Sequence, residues 1–136
     1  AGVEIAGTDL GVGEQESSEH RFRWMIANGG LNIAQPDLHY YGGLIRSTRV
    51  ARMAACADMP TTVHISGGMG FVYMLIFTSI TPDIGRYQEY KRGIEKVADL
   101  FTPALEIKDG RMSVPQGPGT GVVDYSDFVK GTEVVS

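Results

Sequence analysis

With only one cysteine, Cys56, the chain cannot form an internal disulfide, and nothing in its cysteine usage asks for an oxidising compartment. The Ala54-Ala55-Cys56-Ala57 setting predicts a buried helix filler rather than a reactive thiol. Positive charge is in deficit. There are 12 Lys and Arg against 16 Asp and Glu, a net charge of −4 and a pI near 5.3, so the electrostatic footprint of a nucleic-acid or anionic-membrane binder is missing. No apolar run approaches the roughly 18–20 residues of a membrane span. The opening Ala1-Gly2-Val3-Glu4 has neither a basic n-region nor a long apolar h-region, so no signal peptide is expected. It also lacks Met, as expected of a processed or truncated polypeptide. A reducing cytoplasm is the expected setting. Internal repeats and low-complexity linkers are absent too. Three common catalytic or cofactor motifs fail. Gly68-Met69-Gly70 begins a dinucleotide pattern, but Tyr73 stands where the third glycine belongs. There is no Gly-Lys-Ser/Thr phosphate loop, and Ser66 does not lie in a Gly-x-Ser-x-Gly elbow.

What remains is an ordinary globular composition, 43% hydrophobic and 21% charged, in 136 residues, enough for one modest domain. Short β-like runs alternate with helical patterns. Residues 2–6 and 10–13 both read as strand, the second preferred. Ser17 or Ser18 can cap a helix to about Asn28, with Phe22, Met25 and Ile26 as its buried stripe and Gly29-Gly30 as its stop. Residues 31–35 read as strand, and Pro36 helps to end it. Gly42-Gly43 opens a helix to about Ala57, with Val50, Met53, Ala54 and Ala57 on one face. Arg46, Arg49 and Arg52 lie on another, read as a solvated or salt-bridging stripe. Residues 61–65 are β-branched and strand-like. Residues 71–80 are apolar almost all round and predict a buried helix, and residues 87–90 read as the last core strand. Residues 94–101 are weakly helical. Asp109-Gly110 predicts a hairpin, residues 116–121 a loop, and residues 125–130 a short helix. Trp24, Tyr40 and Tyr41 are expected to pack, while His20 and His39 are expected at the surface or a pocket rim. Strand–helix alternation over residues 8–90 predicts parallel βα units, about four of them, followed by an irregular tail. The fold class is α/β: a small domain or half of a (βα)8-type barrel.

The distribution of acids within that pattern carries the chemistry. Glu14, Asp37, His64 and Glu89 fall at successive strand ends, and chemistry in parallel β/α folds collects at the carboxyl ends of strands. Two acids, a histidine and a further acid at four such ends suggest one site with a metal ligand and a proton relay. Taken alone, each has a plainer reading: a lone histidine on a strand is usually a satisfied core or surface group, and Glu14 alone would be a solvated turn residue.

Five segments resemble the carboxyl-terminal part of the enolase superfamily, in particular the mandelate racemase/muconate lactonizing enzyme family and its acid-sugar dehydratases. They are Gly13-Glu14-Gln15, Gln35-Pro36-Asp37 followed by Gly42-Gly43, Val63-His64, Tyr87-Gln88-Glu89, and 114–121 (Val-Pro-Gln-Gly-Pro-Gly-Thr-Gly). Asp37 follows Glu14 by 23 positions and His64 follows Asp37 by 27, in keeping with that subgroup. The resemblance implies that Glu14 is a carboxylate ligand of Mg²⁺, that Asp37 and His64 form the catalytic dyad, and that Glu89 hydrogen-bonds the substrate carboxylate as it becomes an enolate. These roles suit the residue types. Mg²⁺ prefers carboxylate oxygens, a developing enediolate needs electrostatic stabilisation, and an aspartate fixes the tautomer of a histidine that exchanges protons. To donate to the enolate, Glu89 would have to carry a proton.

By the same resemblance, residues 1–100 form carboxyl-terminal βα units, and residues 101–136 form a tail with a hairpin expected to pack on a capping domain. The implied amino-terminal portion would bring two more metal carboxylates and a lysine; none of these is in this sequence, and Asp9 and Glu16 lie too close to Glu14 to replace them. The chain is thus expected to be a carboxyl-terminal piece, inactive alone, of a Mg²⁺-dependent dehydratase or racemase/epimerase acting on a sugar acid. Its expected partners are that substrate, the missing half, and further copies in a homo-oligomer, with no nucleic acid or membrane. The alternative is a non-catalytic α/β binding or assembly module that retains the scaffold.

Overall fold

Among the described residues, parallel pairing starts at β1, Gly11–Val12, and continues in sequence order to Ile84. The computed structural model describes residues 9–65, 69–91, 93 and 101–122. Expectations for residues 2–6, 94–100 and 125–130 lie outside these. The chain divides into two units, residues 1–90 and 91–136.

In the first unit β1 is followed by α1 (Glu19–Ala27), β2 (Ile33–Ala34), α2 (Gly43–Ala55) and α3 (Gly70–Ile80). β1 pairs with β2 in parallel, Gly11 opposite Ile33 and Val12 opposite Ala34. Parallel bridges then join Ala34 to Thr61, Asp37 to His64 and Thr61 to Ile84. Four strand positions therefore lie side by side in chain order, with a helix between each pair, as βα units require. The last position is a correction: the strand-like run at 87–90 does not pair. The chain meets its neighbour earlier, at Ile84, through Thr61 N–H to Asp83 C=O (3.1 Å) and Gly85 N–H to Thr61 C=O (2.7 Å).

Local chemistry sets the helix ends. Ser18 occupies the N-cap of α1 in an extended conformation, but its side chain makes no cap bond; Glu16 Oε1 instead accepts the Ser18 N–H at 2.7 Å. At the other end Gly29 takes φ +64, Gly30 N–H reaches Met25 C=O (2.8 Å) and Gly29 N–H reaches Ile26 C=O. This is a Schellman stop, which favours a residue with no Cβ at the left-handed position. α2 stops in the same way, with Asp58 at φ 52 and Met59 N–H on Ala54 C=O (3.0 Å).

The stripe on α1 and the face of α2 meet over β1 and β2. Phe22, Leu31, Ala34, Tyr41, Val50, Ala54 and Met59 form the core, with Val12, Met25, Ile26 and Met53 packed against it. Phe22 and Tyr41 meet edge to face, centroids 5.1 Å apart. Burying a side chain such as Phe22, Leu31, Val50 or Met59 contributes roughly 1.5–3 kcal/mol. α3 buries Phe71, Val72, Met74, Leu75 and Phe77, as its all-round apolar sequence predicts. Four packing expectations are corrected. Cys56 is exposed because α2 ends at Ala55 and the thiol sits on the cap; Ala57, in the turn beyond, is exposed too. Trp24 and Tyr40 are each 65% exposed, on the outer face of α1 and in the turn after Asp37.

In the second unit β3 (Ile107–Lys108) and β4 (Arg111–Met112) pair antiparallel. Asp109 and Gly110, with φ of 52 and 69, make the two-residue turn, as their dipeptide predicts.

Candidate active site

Parity along the strands decides which side chains share a face. Partners in a parallel pair point the same way, so the bridges place Asp37 beside His64, while Ala34 and Thr61 face the helices. The strand after α2 is held on its β2 side by Thr62 N–H to Ala34 C=O (3.0 Å) and His64 N–H to Pro36 C=O (3.2 Å).

Asp37 is fully buried, and its carboxylate is oriented from two sides. Oδ1 accepts the backbone N–H of His39 at 2.7 Å and of Tyr40 at 3.0 Å. These bonds form because the chain turns immediately after the strand, with Tyr41 N–H returning to Asp37 C=O (2.9 Å). Oδ2 lies 2.7 Å from His64 Nδ1. An ionised carboxylate only accepts, so Nδ1 carries the proton and Nε2 is left as the proton-exchanging nitrogen. On that side stands Glu89, whose Oε2 is 3.9 Å from Nε2. That gap exceeds a direct hydrogen bond. Glu89 is itself fixed, since Oε2 accepts Ile65 N–H at 2.8 Å. The His64 and Glu89 side chains keep 24% and 27% of their surface open, enough for another molecule to reach both. A buried acid, an imidazole of set tautomer and a second acid therefore stand in a row, an arrangement able to take a proton from a bound molecule and return one.

Glu14 does not join this row. It follows β1, is half-buried and makes no hydrogen bond or ion pair among the described residues. As one oxygen donor at a strand end it suits Mg²⁺, which often takes only one or two protein carboxylates. Among the described residues, however, no three His, Cys, Asp or Glu converge on a metal-sized site. Glu14 fits as a single ligand, and the rest of a coordination shell would have to come from elsewhere.

Other residues singled out in the sequence stand apart. His20 is exposed on α1. His39 is exposed beside the start of α3, its ring 6.2 Å from that of Tyr73. The Arg46–Arg52 stripe is a surface network: Arg46 donates to Ser17 C=O (2.9 Å) and lies 4.6 Å from the Tyr41 ring centroid, and Arg49 pairs with Glu19 at 3.8 Å. Tyr41 is buried, and among the described residues no group meets its hydroxyl in good hydrogen-bond geometry, although the Arg46 guanidinium lies close by. Burial pushes that hydroxyl above the ordinary tyrosine range, against the pull of the Arg46 guanidinium and with a smaller push from Glu19. Sequence reasoning missed Gln88. It links Val63 N–H (to Oε1, 3.1 Å) and Gly85 C=O (from Nε2, 2.9 Å). Its one signal was its place directly before Glu89.

Parallel βα units with an acid–histidine–acid row at their strand ends follow the pattern of the (βα)8-type barrel class, in which functional residues gather at the carboxyl ends of the strands. Residues 2–124 match the family model described as Enolase C-terminal domain-like. The chain belongs to this family, and its fold is a partial (βα)8-type barrel. It is 27% identical over 128 residues to a D-galactonate dehydratase of Xanthomonas campestris pv. campestris, an alignment covering 89% of this chain and 34% of that one. Among solved structures it resembles a member of the enolase superfamily from Polaromonas sp. JS666 with a TM-score of 0.78 and 28% identity, over 93% of this chain and 34% of that one. An enolase of the mandelate racemase subgroup from Agrobacterium tumefaciens gives a TM-score of 0.78 and 25% identity, over 93% and 34%. The chain thus spans about a third of the length of the relatives it matches. Among the described residues no helix is long and apolar enough to cross a membrane.

Proposed function

We propose that this chain contributes the proton-transfer residues of an enzyme that removes the proton α to the carboxylate of a sugar acid and then expels the β-hydroxyl as water. The observation that carries this reading is the row Asp37 Oδ2–His64 Nδ1 at 2.7 Å with Glu89 beside Nε2. Its membership of the family and the D-galactonate dehydratase among its relatives support it.

In this reading His64 Nε2 takes the α-proton, and the electron pair of the C–H bond moves into the carboxylate to give an enediolate. Asp37 holds the ring and carries the countercharge of the imidazolium. Glu89, when protonated, donates a hydrogen bond to the enediolate oxygen. The imidazolium then gives its proton to the departing β-hydroxyl, water leaves, and the resulting enol tautomerises to a 2-keto acid. Racemisation or epimerisation would use the same first step, with reprotonation on the opposite face by a group outside this chain. Glu14 would be one ligand of a Mg²⁺ ion, which when bound would lower the energy of the negative charge gathering on the substrate carboxylate. The remaining ligands, the opposite-face group and the barrel's first strands would come from an amino-terminal portion. The tail of residues 101–136 would pack on its capping domain, in a cytoplasmic homo-oligomer.

The test is turnover of a panel of sugar acids by the complete protein. Dehydration to 2-keto-3-deoxy acids is expected, lost in His64→Asn and on Mg²⁺ removal. Undiminished turnover by His64→Asn would refute the role given to the dyad. No turnover of any sugar acid by the intact protein would favour a binding or assembly module instead.

A further inference from the structure

The strand bearing His64 is braced on its β2 side by backbone, and on its Ile84 side by one backbone rung followed by two consecutive side chains. On the Ile84 side the parallel ladder makes one regular rung, with Thr61 N–H on Asp83 C=O and Gly85 N–H on Thr61 C=O. In a regular parallel ladder the next rung would run from Val63 N–H to Gly85 C=O. It is replaced. Val63 N–H donates to Gln88 Oε1 (3.1 Å), and Gln88 Nε2 donates to Gly85 C=O (2.9 Å). The carboxamide therefore sits inside the rung, satisfying both groups while spreading the two backbones by the width of an amide. One rung further on, Ile65 N–H is taken by Glu89 Oε2 (2.8 Å). The splayed ladder lets Glu89 lie over the strand end beside His64 rather than continue as an adjacent strand residue.

We propose that Gln88 is a positioning residue for the reaction: its amide wedge sets the separation of Glu89 from His64, and with it the alignment of the acid that would stabilise the enediolate. The proposal rests on the functional reading above for its catalytic consequence, but the wedge itself is testable apart from turnover. An amide suits this place because it accepts with one end and donates with the other. A methionine of similar length does neither. An ionised glutamate can accept from Val63 N–H but faces the Gly85 carbonyl with a second acceptor. A protonated glutamate does both, as the amide does.

The experiment compares Gln88→Met and Gln88→Glu in the complete protein. For Gln88→Met, kcat should fall roughly tenfold or more with KM little changed, because a misplacement of about an ångström acts on the transition state more than on binding. For Gln88→Glu, the ratio of variant to wild-type kcat at the same pH should rise as the pH is lowered towards the carboxyl range; for Gln88→Met that ratio should stay flat. Independently of turnover, amide hydrogen exchange at Val63 should be protected in the wild type and about tenfold faster in Gln88→Met. Wild-type kcat in both variants, or a Gln88→Glu ratio that does not respond to pH, would overturn the positioning role. Unchanged exchange at Val63 would overturn the wedge. Should Gln88→Met fail to fold, the pH response of Gln88→Glu decides alone. If the wild type turns over no sugar acid, the functional reading fails, and the exchange at Val63 still decides the wedge.

Discussion

Replacing Asp37 by asparagine changes one atom of the carboxylate and should disable the site with little change to the fold. In the wild type Oδ1 holds the His39 and Tyr40 amides at 2.7 and 3.0 Å, and Oδ2 meets His64 Nδ1 at 2.7 Å. In Asp37→Asn the amide oxygen can keep both backbone donors, which forces the NH₂ group towards His64. Nδ1 must then accept, the proton moves to Nε2, and the nitrogen facing substrate can no longer take a proton. A wrong tautomer of this kind costs a histidine base about 10³–10⁴ in kcat, or roughly 4–5.5 kcal/mol of transition-state stabilisation. The fold loses only the charge assistance of the histidine contact, about 1–2 kcal/mol. Asp37→Ala differs. It strands two amides and an imidazole N–H, which should cost roughly 2–4 kcal/mol of stability. The assay is kcat for sugar-acid turnover by the complete protein, with urea denaturation run alongside. Turnover by Asp37→Asn within about tenfold of wild type would refute the tautomer argument.

Three further outcomes are expected. In Gly13→Ala the new Cβ would lie 2.5 Å from Phe22 Cε1 at φ +120, and Phe22 is fully buried with nowhere to move, so the urea midpoint should fall by the equivalent of about 2–3 kcal/mol. Cys56 should react stoichiometrically with a thiol reagent under native conditions, since it is exposed; reaction only after unfolding would contradict its placement on the helix cap. Because the folded state favours the neutral Tyr41 hydroxyl, raised mainly by burial, its contribution is intact below the ordinary tyrosine pKa of about 10 and is lost as pH climbs through the higher folded value. Tyr41→Phe should therefore flatten the alkaline fall in melting temperature, and an unaltered fall would show that another group causes it.

The sequence announced those features that depend on local pattern. The stripe of Phe22, Met25 and Ile26, the Gly29-Gly30 stop, the apolar 71–80 helix and the Asp109-Gly110 turn all follow from spacing or backbone preference, and each is present. The proximity of Asp37 and His64 could be anticipated from where they fall in the strand pattern and from the resemblance, whose subgroup shares their 27-residue interval. What the sequence concealed depends on partners far along the chain. Residues 87–90 have the composition of a strand, but their ladder positions are occupied by the side chains of Gln88 and Glu89, so pairing occurs at Ile84. Cys56 sits in a run of small residues that suits a helix interior, yet the Asp58 left-handed turn ends α2 just before it. Trp24 and Tyr40 show that aromatic character alone does not decide burial; Tyr41, one residue further on, is buried against Phe22.

The most direct test of the acid–histidine–acid row is wash-in of solvent deuterium at the α-carbon of a sugar acid by the complete protein, followed by NMR. Exchange is expected from the wild type and none from His64→Asn, with the sugar acid still bound by both. Deuterium incorporation by His64→Asn at the wild-type rate would show that another group removes the proton.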